Sequence, residues 1–142
     1  MVDTFVKTGT VQFVYVPYLS THAGAEMSVR GSLCALQFGK FWETHDRYFA
    51  AYGQVGPSAF SEERVIQTAA EMGIPESDFV ACLYSAEVEN LMSVAANIVS
   101  TQREAGNFSG TPTVLINGEN PFAQGVVPRW NEVRSVIESA AQ

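Results

Sequence analysis

Two short β-forming segments flank a long stretch of helical periodicity, and this order constrains the fold most strongly. Residues 11–16 are nearly all apolar, as in a strand that is covered on both faces. Residues 113–116 form a second such run, and the Asn117-Gly118 pair that follows is a strong hairpin signal. The pattern therefore predicts an α/β fold with an all-helical insertion at about residues 20–105.

Apolar spacing of three and four residues predicts the helices of the insertion. The clearest begins at Ser61, a good N-cap followed by two glutamates in the first turn, where the helix dipole favours negative charge. Pro75 takes a first-turn position of the next helix, and residues 52–59, rich in glycine and proline, are predicted to be a loop. A weaker strand is predicted within residues 122–127, before a final helix from Pro128. Further helices are predicted over residues 23–36, 40–51 and 86–102.

The predicted helix over residues 40–51 places five ring-bearing side chains at helical spacing. Trp42, His45 and Asp46 could form a catalytic cluster. The stripe is better interpreted as buried core, with His45 hydrogen-bonded to a neighbour. Its members are Phe41, Trp42, His45, Tyr48 and Phe49.

Composition and charge exclude several classes of protein. Of the 142 residues, 46% are hydrophobic and 16% are charged, a globular composition that suits a single domain over residues 1–142. The net charge of −7, with scattered lysines and arginines, disfavours nucleic acid as a partner. No apolar run approaches the roughly 20 residues of a membrane helix, and no signal peptide is predicted at the start. His22 and His45 lack the paired spacing of metal ligands, so no metal is predicted.

Four segments give the chain a resemblance to a known family. In their order along the sequence they resemble the DsbA-like proteins, which are thiol–disulfide oxidoreductases with a thioredoxin fold. Any one of the segments alone would be weak, whereas the four in sequence are specific and cover nearly the whole chain. They are residues 5–15, 33–46, 79–83 and 110–118.

The resemblance implies a role for Gly110, Thr111 and Pro112. In the family this proline follows a cis peptide bond, and its loop binds the extended substrate chain. Proline has no N–H, which leaves the backbone of the preceding residue to pair with a peptide. The alternative is an ordinary Thr-Pro pair before a strand. These three residues are the predicted substrate-binding site.

The two cysteines, Cys34 and Cys82, are far apart in the sequence. The residues alone leave open buried hydrophobes, a disulfide, or one reactive thiol. The resemblance implies a structural disulfide between them, conditional on an oxidising compartment. Two buried free thiols are the alternative.

The sequence contains no C-x-x-C motif, so no catalytic residue is assigned. By comparison with the family, the first strand and the first helix are expected to be missing through an N-terminal truncation. Their loss would leave two strands with unpaired backbone and an exposed hydrophobic groove. Strand sharing in a homodimer and direct pairing of the two remaining strands are the other expected outcomes.

The resemblance implies a protein thiol–disulfide oxidoreductase, a disulfide oxidase or isomerase, that is inactive as this chain. Its implied partners are cysteine-containing proteins, and a membrane redox partner is also compatible with the resemblance. Its implied location is the periplasm or cell envelope. No cofactor is predicted. A non-catalytic peptide-binding module of thioredoxin-like fold is one alternative. A kappa-type transferase or isomerase that uses glutathione is another.

Overall fold

The computed structural model describes residues 1–123 and 125–141, and these contain six α-helices. A π-helical turn at Val2–Val6 and a 3-10 helix at Gly56–Phe60 accompany them. The chain divides into two compact units: a helical unit (residues 17–97) and a terminal unit (residues 1–16 and 98–141 of those described). The helices are α1 (Ala25–Gln37), α2 (Phe41–Val55), α3 (Glu62–Glu71), α4 (Glu76–Leu83), α5 (Ala86–Glu104) and α6 (Trp130–Ala140).

The predicted α/β fold is wrong, because the described residues contain no β-strand. The three predicted strands lie outside regular structure, apart from an isolated bridge between Ile116 and Glu119. Their described residues are 11–16, 113–116, 122–123 and 125–127. The thioredoxin-like sheet of DsbA type, with its first strand and first helix missing, is therefore not the architecture found. Direct pairing of residues 11–16 with residues 113–116 is wrong as well.

The physical reason is that a strand exists only through its neighbours. β-Forming residues fit a pleated, half-buried surface, but their backbone groups are satisfied only by a ladder with another strand. Residues 11–16 find no such ladder, and the side chains of Phe13 and Val14 are 44% and 67% exposed. A helix, by contrast, pairs its backbone within its own segment.

The core of the helical unit forms around α1, which contacts α2, α3 and α4. The buried face of α1 packs against single apolar faces of the other helices, and this burial is the main source of stability. Val88 and Met92 extend the same core along the first half of α5. Among the described residues, the largest fully buried side chains are Phe79, Leu83, Val65, Val88, Thr44 and Cys34.

Ser61 confirms its prediction as an N-cap, and two other helix starts lie within two residues of their predicted positions. The Ser61 side chain caps α3 by accepting a hydrogen bond of 3.4 Å from the Arg64 amide. Pro75 is the N-cap of α4, directly before its first turn. The final helix was predicted to begin at Pro128, and it begins two residues later, at Trp130. The predicted loop over residues 52–59 is wrong: α2 continues through Gly53 to Val55, and the 3-10 helix follows.

The interpretation of the aromatic stripe on α2 as core is wrong except at Tyr48. Trp42 is 51% exposed and Phe49 is 68% exposed, whereas Tyr48 is 5% exposed. The buried face of α2 is marked by Thr44 and Tyr48. Trp42 and Phe49 are rotated by about a third of a turn or more from this face, so their rings lie at the surface. Burial raises the pKa of the Tyr48 phenol, which therefore stays neutral. Among the described residues, no helix combines the length and apolar character needed to cross a bilayer.

Gly31 is required where α1 approaches α2 and α3. A Cβ atom there would overlap the Tyr48 hydroxyl and lie 2.8 Å from Cγ1 of Val65. We expect Gly31→Ala to destabilise the helical unit by about 1–3 kcal/mol, because overpacking outweighs the better helix propensity of alanine. Urea unfolding followed by circular dichroism measures the loss.

Gly53→Ala is the matched control, since Gly53 also lies inside a helix but no atom lies within 4 Å of a Cβ placed there. It should stabilise by about 0.5–1 kcal/mol. Equal effects of the two substitutions would contradict this account of the α1 packing.

Arg30 is the one buried ionised side chain among the described residues, and it ties α1 to the corner between α4 and α5. Its Nη1 donates to the Leu83 carbonyl at 3.0 Å, its Nε to Glu26 at 2.9 Å and its Nη2 to Glu89 at 2.5 Å. The guanidinium thus has three hydrogen-bond acceptors in place of the water that it loses. These charge-assisted hydrogen bonds offset the cost of burying it.

We expect Arg30→Met to lower the free energy of unfolding by about 1–3 kcal/mol, because the buried Leu83 carbonyl loses its charged donor. Arg47→Met is the control. Arg47 pairs with Glu43 and Glu71, but its side chain is 40% exposed, so its loss should cost about 0–1 kcal/mol. Losses of the same size for both variants would contradict a structural role for the Arg30 tie.

Candidate functional site

The Gly110-Thr111-Pro112 segment lies in the terminal unit, in a loop between α5 and the Asn117-Gly118 turn. The Thr111–Pro112 peptide bond is cis. The Thr113 hydroxyl donates to the Gly110 carbonyl at 2.6 Å, which closes the loop on itself. Thr111 and Pro112 are exposed and Gly110 is half-buried. Their role in binding substrate stays a prediction.

A cavity of about 60 Å³ lies beside this loop within the terminal unit. It is lined by residues 109–114 and by Asn120, Phe122, Ala123 and residues 125–128. The described residues that line it carry no charged side chain. Pockets for small molecules usually measure about 300–1,000 Å³, so this cavity has room for part of one side chain.

The turn after the loop has the geometry that its sequence predicts. Ile116 and Glu119 exchange backbone hydrogen bonds of 2.8 and 3.2 Å, and both central residues have positive φ, 53° at Asn117 and 87° at Gly118. These values match a type I′ turn, which favours the Asn-Gly pair because both residues tolerate the left-handed region. The predicted turn is confirmed, although no strands extend from it in the described residues.

Two asparagines beside the cavity were missed by the sequence analysis. The Asn120 side chain lines the cavity and bonds to Asn107 and Phe122, and the Asn107 side chain bonds to Gln102 and Gly118. The Asn120-Pro121 dipeptide is itself a turn signal. That signal could have drawn attention to Asn120. The bond to Asn107, thirteen positions earlier, has no local signal.

The two cysteines lie in the helical unit, where the structure joins Cys34 of α1 to Cys82 of α4 in a disulfide. The Cα atoms are 5.8 Å apart, and the pairing is the one that the resemblance implies. Cys34 is fully buried and Cys82 is 7% exposed. Thiol–disulfide exchange needs a thiolate that can reach the attacked sulfur. Burial of both cysteines therefore hinders attack on this disulfide.

Trp42, His45 and Asp46 do lie together on α2, within the helical unit. His45 Nδ1 is 3.0 Å from Asp46 Oδ1, and the ring centroids of His45 and Trp42 are 5.5 Å apart. Trp42 and Asp46 are exposed, so this group lies open to solvent. In the part of the chain that the structure describes, no group of three His, Cys, Asp or Glu side chains is placed to hold a metal ion. The cavity beside Pro112 is therefore the candidate site, and it is one for binding.

Comparison with known proteins gives the family. A family model described as Thioredoxin matches residues 1–138, which is nearly the whole chain. No curated protein and no solved structure matches the sequence. The match covers residues of both units. The chain belongs to the thioredoxin family.

Proposed function

We propose that this chain is the substrate-binding part of a DsbA-type protein thiol–disulfide oxidoreductase. It binds extended segments of cysteine-containing proteins at the loop formed by Gly110, Thr111 and Pro112. The observation that carries the proposal is an exposed Thr-Pro loop beside an uncharged cavity, in a chain of the thioredoxin family.

The backbone of the loop supports recognition of an extended peptide. Such peptides bind through main-chain hydrogen bonds, and pockets for alternate side chains supply specificity. Thr111 is exposed, and its neighbour Pro112 contributes no N–H that would compete for the peptide. The Gly110 carbonyl is already engaged by Thr113, which leaves Thr111 as the residue for pairing.

The cavity supports an apolar side chain as the part of the peptide that is recognised. Val126 and Val127 at its rim are 57% and 64% exposed, so covering them would remove apolar surface from water. Glutathione carries two carboxylates, which are usually bound by cationic donors. Because the described lining is uncharged, the glutathione-using alternative is the weaker one.

The chemistry of disulfide exchange requires a nucleophilic cysteine that this chain does not offer. Both cysteines are bonded and buried, and the 142 residues contain no C-x-x-C. We propose that the redox pair belongs to sequence outside these residues, as the likeness of residues 5–15 to the family's junction before its second strand suggests. The chain alone then binds substrate without oxidising or isomerising it.

The setting proposed for this function is the periplasm or cell envelope. A disulfide between Cys34 and Cys82 supports an oxidising compartment, where such bonds persist. A membrane-bound protein that recycles the redox pair is a proposed partner. A second copy of the chain is another, since residues 11–16 expose apolar side chains and lie in no sheet.

A non-catalytic peptide-binding module is the second candidate function. It is favoured because both cysteines are buried and joined in a disulfide, so neither offers a free thiol. The two candidates differ in the DNA upstream of the codon for Met1. An in-frame C-x-x-C there supports the oxidoreductase, and its absence leaves the binding module.

Peptide binding tests what the two candidates share. The probe is a dansyl-labelled eight-residue peptide of alternating valine and serine with capped ends, and fluorescence anisotropy measures its Kd. We expect saturable binding that changes by less than about twofold between low and high salt, because the site is uncharged. Val127→Glu should weaken binding about tenfold, since it places a charge at the apolar rim.

Val94→Glu is the matched control. Val94 is 47% exposed on α5, within the helical unit, and its substitution should leave the Kd unchanged. An unmodified chain that folds, as judged by circular dichroism, and yet does not bind the peptide would overturn the proposed function. Equal losses for the two glutamate variants would exclude the cavity as the binding site.

A further inference from the structure

The side-chain amide of Asn120 makes two hydrogen bonds beside the cavity. Its Nδ2 donates to the Asn107 carbonyl at 3.1 Å, and its Oδ1 accepts from the Phe122 amide at 3.0 Å. Asn120 and Phe122 both line the cavity and are half-buried. The second bond folds residues 120–122 into a tight turn, as an asparagine side chain does when it bonds the backbone two residues on.

Asn107 anchors this arrangement to the end of α5. Its backbone amide donates to the Gln102 carbonyl at 2.8 Å, and its Nδ2 donates to Gln102 Oε1 at 3.0 Å. The same Nδ2 also donates to the Gly118 carbonyl at 3.3 Å. Asn107 is therefore held to the last turn of a helix and to the Asn117-Gly118 turn at once.

The two asparagines lie at or near the start of the two sequence segments that line the cavity. Residues 109–114 follow Asn107 after one intervening residue, and the second lining segment begins at Asn120. The hydrogen bond from Asn120 Nδ2 to the Asn107 carbonyl links the two segments near these starts. The described residues of this unit form no strand, so side-chain hydrogen bonds supply cross-connections that a sheet ladder would otherwise supply.

We propose that Asn107 and Asn120 are positioning residues, which hold the two lining segments at the spacing that accepts part of a peptide side chain. This inference rests on the proposed function, because the spacing matters only if the cavity binds peptide. Asn120 needs a donor and an acceptor on a short side chain, and an amide supplies both. Aspartate supplies only the acceptor when ionised, and alanine supplies neither.

Two variants separate the two bonds of Asn120, with the same dansyl-labelled peptide as the probe. Asn120→Ala removes both bonds and should raise the Kd about tenfold, since a loosened cavity must be ordered on binding. Asn120→Asp keeps the bond from the Phe122 amide and should raise the Kd by a smaller factor. A graded loss of affinity at an unchanged Tm marks a positioning role, because a purely structural role would move the Tm in the same order.

Asn90→Ala is the matched control, an exposed asparagine on α5 within the helical unit, and it should leave the Kd unchanged. If the unmodified chain binds the peptide and both Asn120 variants bind it equally well, the inference is overturned while the proposed function stands. If the unmodified chain fails to bind, both are overturned. If Asn120→Ala does not fold, Asn120→Asp decides: a Kd equal to that of the unmodified chain overturns the inference.

Discussion

Every backbone amide and carbonyl that is buried away from water must find a hydrogen-bond partner. The helical unit and the terminal unit meet this requirement in different ways. In the helical unit the partners lie within each helix, so the backbone hydrogen bonds of α1 to α4 and of the first half of α5 need no distant sequence, although the helices themselves depend on packing. Their apolar faces then meet around α1, with the Arg30 tie and the Cys34–Cys82 disulfide at the corner between α4 and α5. In the terminal unit, residues 11–16 and 113–116 need a ladder that the described residues do not supply.

The same division explains what the sequence could predict. Ser61 as an N-cap, Pro75 before α4 and the Asn117-Gly118 turn were predictable, because each is decided by residues within one turn. The strands were not, because residues 11–16 carry a strand propensity whose outcome depends on a distant partner. The exposure of Trp42 and Phe49 was missed for a related reason, since spacing alone does not say which face of α2 meets α1.

The candidate site shows the same contrast. Gly110, Thr111 and Pro112 were found through a family resemblance, which carries information that local pattern lacks. Asn107 and Asn120 were missed, because their bond joins residues thirteen positions apart through a side chain and a backbone carbonyl. The cysteine pair was predicted on the same resemblance. A disulfide that joins α1 to α4 is expected to stabilise the helical unit by constraining the unfolded chain, and its burial hinders attack by other thiols.

Amide hydrogen exchange measured along the chain tests this account most directly, because it reports backbone pairing segment by segment. The account predicts strong protection in α1, α3 and α4. Over residues 11–16 and 113–116 it predicts much weaker protection in the same sample, except at the Val11 and Ile116 amides, which donate to the Phe5 and Glu119 carbonyls. Protection of both segments, at a level comparable to α1, would show that they are paired in a sheet and would contradict the account.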